Sequence, residues 1–194
     1  MICLVVAYRA EAAALVSHFR LRRQPQQAFA LYSAGDVVLV ISGSGKIHAA
    51  AAAAYLYAKS GYRRDALWLN LGIAGHAEHP PGTAHLARKV IDVATGGVVQ
   101  MTLPRSSPWS SEALYTHDRP HRAGHGERGM FDMEASGFLA AARRFSQPQL
   151  IHCLKIISDN RATALEIPST EQVAEWMLRQ MPRLDAFVAA LQRE

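Results

Sequence analysis

Three stretches of this chain end an apolar run in acidic residues. Glu11 follows "ICLVVAYRA", Asp132 and Glu134 lie in "FDMEA", and Asp159 closes "CLKIISD" with Ser158 beside it. Carboxylates fixed at the ends of buried strands can pass protons, orient hydroxyls and face developing positive charge. In open α/β sheets, ligands sit outside the carboxyl ends of the strands, where these acids fall. Each also has a plain structural explanation. Ser, Asp and Asn end strands in turns, and an acid in the first turn of a helix is favoured by the macrodipole.

Two glycine-rich pieces accompany the acids, "SGSGK" at 42–46 and "GIAGH" at 72–76. Backbone N–H groups ahead of a helix attract anions, but "SGSGK" lacks the spacing of an ATP-binding phosphate loop. "GIAGH" reads as a turn whose small residues allow close approach. Among nine histidines, His117, His121 and His125 are spaced by four. Pro120 and Gly124 argue against a helix there, so neither a metal site nor any other cofactor is expected.

The 194 residues suit a single domain over 1–194, with 49% hydrophobic and 19% charged residues. The net charge of +5 comes from scattered basic residues without an aromatic-interleaved stripe, so nucleic acid is not an expected partner. Cys3 and Cys153 lie in apolar runs and read as buried thiols of a reducing compartment. No signal peptide and no membrane-spanning run is expected, which makes a cytoplasmic protein the expectation.

The elements that must position these residues alternate between strand and helix. Residues 2–7 read as a central strand, followed by an amphipathic helix through Phe19 and a hairpin over 29–41. The alanine-rich stretch after "SGSGK" is a helix closed by Gly61. "ALWLNLG" is a buried strand, and one or two strands follow the Pro-Pro-Gly turn. Residues 102–129 lack periodicity and read as one long mobile loop. "FDMEASGFLAAARRF" reads as a helix, 149–157 as a strand, and the C-terminal stretch as a helix. Ser169 and Gln172 form a capping box at its start, and Pro182 is expected to break or kink it. This is an α/β chain with a mixed sheet.

The order of "VVAYRAEAAAL", "SGSGKIHAA", "NLGIAGH", "FDMEA" and "KIISDNRA" resembles the purine and uridine nucleoside phosphorylase family. It is most similar to the 5′-methylthioadenosine/S-adenosylhomocysteine nucleosidases. The resemblance implies a three-layer α/β/α sandwich around a mixed, partly barrel-like sheet, and cleavage of an N-glycosidic bond by water or phosphate. It implies that Asp159 protonates the purine at N7 with Ser158 holding that carboxyl, and that Glu11 activates water. Glu134 would bind the ribose hydroxyls and Met133 would pack on the sugar, with Gly75, Phe131 and Lys155 completing the substrate set. The partner is then a small nucleoside, and the chain a homo-oligomer.

The sequence also departs from that family. Ile73 replaces a serine whose hydroxyl helps hold the nucleophile, Lys155 stands where an arginine is common, and "NRA" (160–162) replaces the usual Ala-Asp. The chain is shorter ahead of "FDMEA", where an aromatic residue usually stacks on the base; Phe131, Trp109 and Tyr115 are the substitutes. A phosphorylase of the kind acting on adenosylhopane is the alternative, and a catalytically weak nucleoside-binding protein is a further one. A flavodoxin-like domain is disfavoured by the missing phosphate loop after the first strand.

Overall fold

The computed structural model describes residues 1–121, 128–163 and 168–192. The chain runs through β1 (Ile2–Val6), α1 (Arg9–His18), β2 (Arg22–Arg23), β3 (Ala30–Ala34), β4 (Val37–Ile41) and α2 (Lys46–Lys59). There follow β5 (Leu67–His76), β6 (Ala84–Asp92), β7 (Val98–Gln100), β8 (Ser111–Thr116) and β9 (Met130–Asp132), then α3 (Ala135–Phe145), β10 (Ile151–Asp159) and α4 (Thr170–Leu191). No described helix is long and apolar enough to cross a membrane.

Strand β5 is the axis of the sheet. Parallel β1 pairs with its first half, from Ile2 opposite Leu67 to Val5 opposite Asn70. Parallel β10 runs along its other edge, from Ile151 opposite Trp68 to Asp159 opposite Gly75. Beyond β1, strands β4, β3 and β2 form an open wing. On the other side the strands close on themselves: β10 pairs with β6, β6 with β8, β8 with β9, and β9 returns to β5 at Gly75 and His76. The sheet is half open and half a small barrel.

The central strands are buried on both faces, which is why their sequences are unbroken apolar runs. Alternation sorts their side chains into two cores. Val5, Trp68, Cys153 and Ile157 pack with Leu56 of α2 and Phe138 of α3. Leu4, Leu69, Leu71 and Leu154 pack with Leu15 of α1 and with Met177 and Phe187 of α4. The architecture is the expected three-layer α/β/α sandwich. Both cysteines are buried, and burial raises each thiol pKa to about 12.

Four sequence expectations are corrected. "GIAGH" is not a turn: β5 continues through it to His76, because β10 and β9 supply partners there. Residues 102–129 are not one loop, since β8 forms between β6 and β9. Part of that stretch, 122–127 with His125, lies outside the described residues. "FDMEA" enters as strand β9 and becomes helical only at Ala135. Helix α4 runs unbroken through Pro182, whose exposed position leaves the missing backbone bond toward water.

Candidate active site

The site grows from a gap along β5. Its edge leaves β1 after Asn70 and meets β9 only at Gly75. In this gap the Ile73 backbone N–H donates to Glu11 Oε1 at 2.9 Å. Glu11 stands in the first turn of α1, where its Oε2 accepts from the N–H groups of Ala7 (2.8 Å) and Tyr8 (2.9 Å). Three backbone donors therefore fix one buried carboxylate. Gly72 makes room for it: a Cβ there would lie 2.7 Å from Glu11 Oε1. Burial pushes the Glu11 pKa up; Lys155 and the N–H groups of Ile73 and Tyr8 oppose that, and Glu134 adds to it.

The loop before α2 grips a second acid. Glu134 Oε1 accepts from Ser44 Oγ (3.0 Å) and from the Gly45 N–H (2.8 Å). The helix-start N–H of "SGSGK" is thus occupied by a protein carboxylate. Close packing of α2 on α3 brings the two segments together, since a Cβ at Gly137 would sit 2.0 Å from the Lys46 carbonyl oxygen. Lys46 itself bonds Asp92 (2.9 Å) and Asp118 (2.8 Å). Asp92 also accepts from Ser136 Oγ and the Thr95 N–H. Burial alone would raise its pKa, but the Lys46, Ser136 and Thr95 bonds hold it down at about 2.

Lys155 is placed differently from expectation. It does not line the cavity; its side chain is 1% exposed and its Nζ lies 2.9 Å from Asp132 Oδ2. Asp132 in turn accepts from Thr116 Oγ1 (2.8 Å) and the Ala135 N–H (2.9 Å). Burial lowers the Lys155 pKa, but Asp132, Glu134 and Cys153 outweigh that and move it upward. Lys155 sits opposite Gly72 in the β10–β5 pair, on the face that carries the Glu11 carboxylate. The ammonium is an internal countercharge, buried behind the cavity lining.

Asp159 ends β10, and Ser158 Oγ donates to its Oδ1 at 2.5 Å. A Cβ at Gly75 would come within 3.2 Å of Asp159 Oδ2, so that glycine keeps the carboxyl accessible. Glu11, Met133, Glu134, Ser158, Asp159, Gly75 and Phe131 line one cavity of about 180 Å³. Of the other aromatic candidates, Trp109 is buried against Phe187 with its Nε1 bonded to Gln180. Tyr115 lies behind Phe131, their ring centres 5.9 Å apart. Sequence reasoning missed Tyr8, Pro120 and His121, which also line the cavity. The four-residue spacing of His117 and His121 was the available signal. Their rings stack in parallel, 4.1 Å apart.

A separate cluster lies on the barrel side, where the rings of His76, His79 and His85 stack in series. Ligating atoms of His76, His79 and Glu112 fall within 4.8 Å of one another. His76 Nδ1, however, accepts from the N–H groups of both Glu78 and His79 at 2.9 Å. That places the ring proton on Nε2 and leaves no lone pair for a metal.

No protein-family model matches the sequence, and no curated protein matches it. Solved structures do. A 5′-methylthioadenosine/S-adenosylhomocysteine nucleosidase from S. pneumoniae superposes with a TM-score of 0.72 at 21% identity, covering 98% of this chain and 99% of that one. A 5′-methylthioadenosine nucleosidase from Arabidopsis thaliana gives 0.71 at 16% identity, with 99% and 94% coverage. The futalosine hydrolase of Helicobacter pylori gives 0.72 at 13% identity, with 97% of each chain covered. End to end, the chain has the α/β/α fold of these nucleosidases.

Proposed function

We propose that the chain hydrolyses the N-glycosidic bond of a purine nucleoside, a 5′-substituted adenosine of the methylthioadenosine or S-adenosylhomocysteine type. The observation that carries this reading is the convergence of Glu11, Glu134 and Asp159 on one cavity from three distant segments. Solved structures of the same fold include nucleosidases for such substrates, one with a transition-state inhibitor and one bound to methylthioadenosine.

Breaking the C1′–N9 bond leaves an oxocarbenium-like sugar and an anionic purine. Protonated Asp159, with Oδ1 held by Ser158, delivers its proton to N7 so that the purine departs neutral. Glu134, fixed by Ser44 and Gly45, accepts from the ribose hydroxyls and faces the positive charge on the sugar. Glu11 takes a proton from the attacking water, whose oxygen bonds to C1′. Its raised pKa makes it a better proton acceptor than an ordinary glutamate. No metal or other cofactor enters these steps.

Water is favoured over phosphate by the cavity wall. Its lining among the described residues includes Glu11, Asp132, Glu134 and Asp159 but no lysine or arginine. Lys155 offsets Asp132 from behind the wall, but an incoming phosphate would meet Glu11 and Glu134 with no cation in that lining. In this reading the protein is a cytoplasmic homo-oligomer, which light scattering after gel filtration tests. Incubation with methylthioadenosine, S-adenosylhomocysteine and inosine, with and without phosphate, tests the reaction. Free purine released without phosphate is the expected result. Strict phosphate dependence points to a phosphorylase, and binding without turnover to a nucleoside sensor.

A further inference from the structure

Four elements meet behind the cavity wall, at the ammonium of Lys46. Asp92 closes β6 and lies opposite Thr116, the last residue of β8. Ser136, at the start of α3, donates its Oγ–H to Asp92 Oδ2 (2.8 Å) and its N–H to Thr116 Oγ1 (3.1 Å). Lys46, the first residue of α2, reaches this junction with its Nζ 2.9 Å from Asp92. Past Thr116 the chain leaves the sheet. The His117 N–H still donates to the Asp132 carbonyl oxygen, and Pro120 and His121 then line the cavity. Between those two points Asp118 sets its carboxylate 2.8 Å from the same Lys46 ammonium.

We propose that Lys46 is a positioning residue for the substrate, clamping the cavity-lining segment 117–121 in place through Asp118. This rests on the nucleoside reading of the cavity and adds what holds its wall. Gly45, one residue before Lys46, donates its N–H to Glu134, the acid assigned to the ribose. One cation therefore ties the wall at Pro120 to the helix start that grips the sugar-side acid. Asp92 is the fixed end of the clamp: its side chain is 15% exposed, and Ser136 and the Thr95 N–H also bond it. Asp118 is the releasable end, with a side chain 57% exposed. Hydrogen bonds to Asp118 and then to Asp92 raise the Lys46 pKa, so the clamp stays charged through the neutral range. Lys46 touches no reacting atom, and the chemistry stays with the carboxylates.

Asp118→Ala cuts the clamp at its exposed end and leaves the Lys46–Asp92 pair in place. KM for methylthioadenosine is expected to rise about 2- to 5-fold, with kcat little changed because the three acids stay where they are. Asp118→Glu keeps the charge and should bring KM most of the way back. Lys46→Met should raise KM at least as much, and adding Asp118→Ala to it should change KM no further. Methylthioadenosine carries no net charge, so salt acts on the clamp rather than on the ligand. Raising KCl from about 0.1 M to about 1 M should move the KM of the unaltered protein toward that of Asp118→Ala, and leave the variant's alone. Hydrogen exchange at the His117 amide reads the clamp without any ligand, and should quicken about 2- to 5-fold in Asp118→Ala. A KM indifferent to Asp118→Ala would overturn the positioning role, even with faster exchange. An unaltered protein without turnover would sink the hydrolase reading alone: the clamp then stands if exchange still quickens in Asp118→Ala, and falls if it does not.

Discussion

The proposed reaction gives single side chains distinct jobs, each with its own signature. Asp159→Asn removes the proposed acid while keeping the side-chain shape and an oxygen for Ser158. Turnover should fall about 10²- to 10⁴-fold with the unfolding temperature nearly unchanged. In the proposed reaction Glu11 acts only when ionised, and burial moves its pKa upward from the ordinary glutamate value. Acidification through that raised pKa protonates it, so kcat/KM should decline on the acid side at a pH above the ordinary carboxylate range. In Glu11→Gln that limb should vanish along with most of the activity. A pH profile with an unchanged acid limb in the variant would remove Glu11 as the base. Gly72 supports the same carboxylate by lacking a side chain. Gly72→Ala would push a methyl group to 2.7 Å from an oxygen that backbone donors hold in place, and a loss of about tenfold or more in kcat is expected in steady-state assays.

Elements are locked to one another by charges beneath the site. Lys155 of β10 and Asp132 of β9 bridge two strands that flank β5, with almost no water contact. Removing either partner strands the other as a buried charge, so Lys155→Met or Asp132→Asn should each cost about 3–5 kcal/mol by denaturant unfolding. The double variant should lose much less than the sum, because neither charge remains. A second lock joins α2, α3 and β6 through Asp92. Its depressed pKa means that its contribution is present at neutral pH and is lost as pH falls from about 4 toward 2. Much of this element structure is visible in sequence: β1, β4, β10 and the alanine-rich α2 announce themselves by runs and caps. Strand β8 does not, because "SEALYT" alternates weakly and exists only where β6 and β9 pair with it across the barrel. The extension of β5 through "GIAGH" is hidden for the same reason. Glycines that suggest a turn are there to clear space for Glu11 and Asp159.

At the scale of the whole molecule, the cavity is where the open wing of the sheet meets its closed half. Its walls come from the start of α1, the loop before α2, the gap in β5, the end of β9 and the end of β10. The acids and their order could be read from the chain because each closes a recognisable run. Of the aromatic wall, Phe131 could be read beside its acids, whereas His121 sits in a stretch without periodicity, and sequence cannot say on which side of a cavity wall the Lys155 cation lies. A site assembled from so many segments has no counterpart in the unfolded chain, so a nucleoside that fits it binds the native state alone. At a hundredfold excess over Kd such a ligand stabilises by about 2.7 kcal/mol. For a chain of 194 residues this is a rise in Tm of roughly 5–10 °C. Asp159→Asn lets the measurement run without turnover. Methylthioadenosine should raise the Tm of that variant, whereas ribose alone, which reaches Glu134 but neither Asp159 nor the aromatic wall, should raise it far less. Equal shifts with both would mean that the base contributes nothing to binding, and the cavity would then be a sugar site rather than a nucleoside site.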